Sequence, residues 1–275
     1  MSRRGSGFAA GAWIMTLLCS APVPGATEQS RRSIPSSLQK AQRAVSGNVS
    51  VKSLALEGSR ASAAELRSVP PRAPVERVEV LYLLPGHYRQ LQVNPSMMSY
   101  RGFSRDAPLL GAKALQPNAH ADAGTPAVNF VETQRVVAAR LAFGILGDAG
   151  GIMAVTASAA GANIWHLVGP SDFDCLLDLD PTTGMPLRVR YNGMVGFLPP
   201  FDPNQKNWRS DPPERAEVTM TFADRRPIDG VQVPFRVTTT ARSLSTGRQD
   251  IREELRFEQV RVNPPLTPAD FSRVQ

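Results

Sequence analysis

The sequence predicts a mainly β fold of the α+β kind, built from antiparallel strands, and two observations carry that prediction. Apolar residues alternate with polar ones through most of the chain, and the alternating stretches are joined by short, turn-rich connections. The alternation begins at Val51, Leu54 and Leu56 and is plain at Val78, Val80, Tyr82 and Leu84. It resumes at Ile164, His166 and Val168; Cys175, Leu177 and Leu179; Leu187, Val189 and Tyr191; Val218, Met220 and Phe222; Val233, Phe235 and Val237; and Leu255 and Phe257. Residues two apart share one face of a strand, so these sets read as half-buried strands, about eleven in all. The runs Asp180 to Gly184 and Asp229-Gly230 are turn sequences, the second tolerating the positive φ of a tight hairpin. Parallel neighbours would need a crossover of a dozen or so residues, so short connections imply antiparallel pairing. The apolar phase slips between Phe257 and Val260, which predicts a bulge in the last strand.

Two segments read as helices. Ser36 or Ser37 can cap a stretch in which Leu38, Ala41, Gln42 and Val45 fall at helical spacing, with Gly47 as its stop. From about Ala127 to Leu146, Phe130, Val137, Leu141 and Ile145 form a stripe, and Gly147 and Gly150 end it. The Pro- and Ala-rich run from Ala61 to Pro74 and the turn-prone run from Pro117 to Ala127 read as connections. No internal repeat or composition shift divides the rest, so residues 36–275 are expected to form one domain behind a flexible lead-in at 27–35.

Residues 1–26 have the pattern of a secretory signal: Arg3 and Arg4, an apolar stretch from Phe8 to Leu18, then small residues and prolines up to Ala26. The apolar stretch falls short of the roughly 20 residues that span a bilayer. The expected product is a soluble, exported and periplasmic protein cut near residue 25 or 26. Cys19 follows Leu18 where a lipoprotein cysteine needs a small neighbour, so lipid anchoring there is not expected. Gly5 and Ser6 likewise do not fit a twin-arginine signal. After cleavage only Cys175 remains, so no internal disulfide can form and the core must hold by packing. The net charge of +7 becomes +5 without Arg3 and Arg4, and the cations are scattered arginines beside only Lys40, Lys52, Lys113 and Lys206. A nucleic-acid reader clusters such charge, so nucleic acid is not an expected partner, whereas weak contact with an anionic membrane surface stays open.

Catalytic patterns are missing. His87, His120 and His166 are far apart and show no metal-ligand spacing, and His166 reads as a residue on the inner or rim face of its strand. No Gly-x-Ser-x-Gly elbow occurs. Cys175 alternates with Leu177 and Leu179 and reads as a buried structural thiol. Asp172, Asp174, Asp178 and Asp180 gather acidity, with Asp178 and Asp180 in phase on one strand, but Pro181 and two threonines stand where a calcium loop needs oxygen ligands around a glycine bend. The glycines from Gly147 to Gly151 lack the Lys and Ser/Thr of a phosphate loop. The sequence therefore predicts no enzyme, no metal and no cofactor. Its unusual feature is the apolar loop from Gly193 to Trp208, whose Phe197, Leu198, Phe201 and Trp208 either pack over the sheet or meet a ligand, partner or membrane.

The segments "FDCLLDLDPTTGMPLRVRY", "VTMTFADRRPIDGVQVPFRVTT" and "LRFEQVRVNPPLTPADFSRVQ" resemble the LolA-like and LolB-like outer-membrane lipoprotein-sorting superfamily. The resemblance rests on Asp180, Thr183, Gly184, Asp224, Arg225, Asp229, Gly230, Pro234, Asn263, Pro264 and Phe271, with "PGHYR" at Pro85 to Arg89 agreeing more loosely. It implies a strongly curved antiparallel sheet, an incomplete β-barrel whose apolar concave face is covered by helices and can take acyl chains. Burial of each methylene would contribute about 0.8 kcal/mol. The candidate hydrophobic site residues are Phe130, Val137, Leu141, Ile145, Phe197, Leu198, Phe201 and Trp208.

The expected function is thus a monomeric, non-enzymatic periplasmic binding protein for lipid or lipoprotein acyl chains. The alternative is an envelope regulatory or scaffold protein that binds another protein through the same fold.

Overall fold

The computed structural model describes residues 36–67, 76–84, 86–104, 107–116, 154–157, 163–168, 174–197 and 212–272. Twelve strands form one sheet: β1 (Ser53–Ser62), β2 (Glu76–Leu83), β3 (His87–Val93), β4 (Met97–Ser104), β5 (Ala107–Ala114), β6 (Ala154–Ala157), β7 (Ile164–Val168), β8 (Asp174–Leu179), β9 (Pro186–Val195), β10 (Glu214–Ile228), β11 (Val231–Ser243) and β12 (Gln249–Val262). The order is β5-β4-β3-β2-β1-β12-β11-β10-β9-β8-β7-β6, and every pairing is antiparallel. Edge strands β5 and β6 do not pair with each other, so the sheet is an incomplete barrel. The twelve strands among the described residues agree with the expectation of about eleven.

Helix α1 (Ser36–Ser46) buries Leu38, Ala41 and Val45 and ends at Gly47, whose φ is +57° and whose N–H returns to the Arg43 carbonyl at 2.9 Å. It lies on the inner face of the sheet against β11. Within the run expected to be a plain connection, Ala63–Arg67 forms a short helix, α2, whose Glu65 carboxylate accepts the Ser62 N–H at 2.6 Å and hydroxyl at 2.7 Å. Nearly all the predicted apolar sets fall on that inner face: Leu54 and Leu56, Val78, Val80 and Tyr82, Cys175, Leu177 and Leu179, Val218, Met220 and Phe222, Val233, Phe235 and Val237, and Leu255 and Phe257. They belong to one buried cluster, which hydrophobic burial makes the main source of stability.

The predicted turns are present. Ile228 pairs with Val231 across Asp229 (φ +48°) and Gly230 (φ +83°), a two-residue turn with both central residues left-handed. Asp180 accepts the N–H of Thr182 at 3.0 Å and of Thr183 at 2.7 Å, and Gly184 has φ +76°. The predicted bulge is present as well: Glu57 pairs with Gln259 but Gly58 with Phe257, so β12 carries an extra residue there. Gly58 is required at that bulge, because a Cβ on it would lie 2.0 Å from the Arg256 carbonyl oxygen.

Two phases differ from expectation. Leu167 is buried opposite Cys175 and Trp165 packs on the core, which turns His166 to the outer face beside Asp174, 2.5 Å from its Nε2. Leu187 is exposed because the β8–β9 register shifts between Asp178 and Leu179. The C-terminal segment crosses the outer face of β1, β2 and β5, where Phe271 is buried with Ala55, Leu81 and Leu109.

The inner face of the open sheet as candidate site

The acidic run separates in the folded chain. Asp174 meets His166, Asp178 is buried between Arg188 and Arg190 on the outer face, and Asp180 does not share the strand with Asp178 but caps the turn after β8. Asp172 lies outside the described residues. Among the described residues no three His, Cys, Asp or Glu side chains gather where they could hold a metal ion. Cys175 is a buried thiol, and burial, with a smaller contribution from Asp174, pushes its pKa up to about 12, so it is protonated and unreactive at neutral pH.

The residues that carry the family resemblance have corner duties. Arg225 donates to the carbonyls of Gln232 and Pro186, both at 2.9 Å, tying the start of β9 to the β10–β11 hairpin, and burial brings its pKa down to about 10. Asn263 (φ +53°) accepts the Lys52 N–H at 2.7 Å and donates to the Ser50 carbonyl at 3.0 Å. Ser53 Oγ donates to the Pro264 carbonyl at 2.7 Å. Such residues shape the sheet and offer no chemistry to a ligand.

Of the eight candidate site residues, Phe197 alone lies within the described part of the chain. Just past β9 it folds onto the sheet at 0% exposure, between Ala216 of β10 and Ala241 of β11, with the Arg248 guanidinium 5.6 Å from its ring. Ala216 and Ala241 continue the alternation of Val218 and Val237, so Phe197 covers the far end of the inner face. Phe130, Val137, Leu141 and Ile145, with the expected helix that contains them, and Leu198, Phe201 and Trp208 lie outside the described residues.

The inner face is not uniformly apolar. Around α1 and across its middle it presents Leu54, Leu56, Val80, Tyr82, Val231, Val233 and Met220, all buried. Where β12, β1, β2, β3 and β4 run away from α1, the same face becomes charged. Arg60, in phase with Leu54 and Leu56, donates from Nη1 to Glu76 at 2.6 Å and from Nε to Glu253 at 2.9 Å. Burial alone would lower the Arg60 pKa, but Glu253 and Glu76 together outweigh it and hold the guanidinium above its ordinary value. Arg101 reaches Gln90 at 3.2 Å and Glu253 at 3.7 Å, and Gln90, at 0% exposure, also accepts the Tyr88 hydroxyl at 2.6 Å. Asp250 is buried opposite Ala241 of β11, with Arg252 Nη1 at 3.9 Å from its carboxylate.

None of these residues is among the candidate lining residues expected from the sequence, all of which are apolar. A usable signal was present: Arg60, Glu76, Gln90, Arg101 and Glu253 sit in phase with the core residues of their own strands, where a solvated charge is not expected.

Among the described residues no helix is long and apolar enough to cross a membrane. Neither a protein-family model nor a curated protein sequence matches the chain. Among solved structures, the chain is similar to a LolA superfamily protein from Nitrosomonas europaea, with 14% identity, 86% of this chain and 96% of that chain covered, and a TM-score of 0.43.

Proposed function

We propose that this chain is an exported, non-enzymatic binding protein that holds a hydrophobic ligand, a lipid or the acyl chains of a lipoprotein, against the inner face of its open sheet. The observation that carries this reading is the apolar part of the inner face, running from β2 to β10 on a sheet whose two edges leave the barrel unclosed. Residues 1–26 are proposed as a cleaved secretory signal and the periplasm as the compartment, on the sequence pattern described above. Residues 36–275 are proposed as one domain.

Phe130, Val137, Leu141 and Ile145 are proposed as ligand-facing residues together with Phe197, Leu198, Phe201 and Trp208. The proposal is supported by chain connectivity: the segment that carries the first four joins β5 to β6, the two free edges of the sheet. An apolar face needs no catalytic group to bind an acyl chain, since each methylene removed from water contributes about 0.8 kcal/mol.

A second reading, a regulatory or scaffold protein of the cell envelope that binds another protein, is favoured by a different observation. Leu54, Val80, Leu177, Met220 and Val233 are already at 0% exposure, as they would be in a filled core. The deciding experiment is native mass spectrometry of the mature protein from a detergent-free periplasmic extract, followed by organic extraction and lipid analysis. The binding reading predicts a copurifying acyl species that is lost in the folded Leu141→Asp/Ile145→Asp variant. A ligand-free protein that also ignores added lipid would replace it with the scaffold reading.

A further inference from the structure

We propose that the charged end of the inner face is a head-group site that selects an amphiphile with an uncharged, hydrogen-bonding head over one with an anionic head. The inference rests on the hydrophobic-ligand reading above and adds the polar half of the ligand to it.

Three arginines stand against three carboxylates: Arg60 on β1 bridges Glu76 on β2 and Glu253 on β12, Arg101 on β4 reaches Glu253, and Arg252 lies near Asp250 on β12 itself. Glu65 adds a further carboxylate, already engaged by Ser62. Among the described residues the set therefore carries no spare positive charge, in contrast to the surplus of arginine over the chain as a whole. An anionic head placed there would meet Arg101 only at the side of Glu253, whose carboxylate lies 3.7 Å from that guanidinium. Like charges at such range repel, and more so beside Glu253, whose side chain is only 10% exposed.

Hydrogen-bonding capacity is available for an uncharged head. Thr239, 7% exposed, has a buried hydroxyl without a partner, and so has the buried Nε2 of Gln92. Thr239 pairs with Glu253, and Gln92 lies opposite Val78 and Ser99, so the two flank the charged set on the same face. Buried polar atoms are nearly always satisfied by protein, water or ligand. A glyceryl hydroxyl or an ester carbonyl supplies the missing acceptor and donor without adding charge. The site is reachable, because the Arg101 side chain is 39% exposed. The acyl part of the same molecule would lie along Val78, Val80 and Tyr82, the apolar residues adjoining Gln92 and Gln90 on β2.

The test uses the full mature chain loaded with a fluorescent acyl probe and displaced by three amphiphiles of one chain length: monopalmitoylglycerol, palmitate and palmitoyl-lysophosphatidylglycerol. The neutral lipid is expected to bind at least about tenfold more tightly than either anion, a difference of about 1.4 kcal/mol. Glu253→Gln removes one negative charge from the set and is expected to raise the affinity for both anions by a similar factor. Glu76→Gln should do the same and serves if the first variant fails to fold. Equal binding of all three lipids to the unmodified protein, or an unchanged order of affinities in both variants, overturns the head-group site while leaving the acyl-binding reading in place. Failure to bind the acyl probe at all overturns both.

Discussion

At the α1 end of the inner face, Leu54, Val231 and Val233 are sealed by apolar neighbours on every side, and each of them could be exchanged for another aliphatic group with a local cost. Further along the same face, Arg60 is held by Glu76 and Glu253, and Glu253 also faces Arg101, so that no member can be removed without stranding another. The first region spreads its stability over many small, independent contacts. The second concentrates it in a few interdependent ones, whose desolvation cost is met only while the set is complete.

The largest effect should come from breaking the second region. Arg60→Ala leaves Glu76 and Glu253 without their shared cation, and urea unfolding should report a loss of about 3–5 kcal/mol. Combining Arg60→Met with Glu76→Leu, Glu253→Leu and Arg101→Met should recover most of that loss. A single-variant cost below about 1 kcal/mol, the range of an exposed pair, would show that the charges are independent and largely solvated.

Met220→Ala probes the first region. Met220 is fully buried, so the expected loss is about 3 kcal/mol, and it should add to that of Arg60→Ala because the two side chains share no partner. Strong non-additivity would join the two regions into one unit and erase the contrast.

Cys175 gives the gentlest probe of the apolar region. Its thiol should resist an aromatic disulfide reagent at neutral pH and react only as the protein opens. Because burial raises the folded pKa from 9.0 to about 12, the folded state holds its proton longer than the unfolded one. Its contribution to stability is therefore intact below about pH 9 and is lost as the pH rises towards 12. The difference between the unmodified protein and Cys175→Ala, followed by urea unfolding across that range, isolates this part. A difference that does not change with pH would place the thiol in contact with water.

The apolar region was legible in the sequence because strand alternation is a direct record of burial. Val78, Val80 and Tyr82 or Val233, Phe235 and Val237 need no knowledge of their neighbours to be assigned to one face. The Asp229-Gly230 turn and the slip after Phe257 were legible for a similar reason, each being local backbone chemistry. The face of His166 was not, since its own strand offers Ile164 and Val168 in one phase and Trp165 and Leu167 in the other, and pairing with Cys175 and Leu177 decides between them. The charged end was hidden more deeply. Arg60 and Glu253 lie 193 residues apart, and only the β1–β12 pairing reveals that each is the other's partner.

That same pairing bears on how the chain folds. Along the sheet order every strand lies beside its neighbour in sequence except at one seam, β1 against β12. Two meanders, β1 to β5 and β6 to β12, can each assemble from nearest-neighbour hairpins with small loop-closure costs. The seam alone must search across most of the chain, which makes its formation the slow, high-contact-order step. The Arg60–Glu253 contact spans that seam, so its formation would report the moment at which two separately zipped ribbons become one sheet.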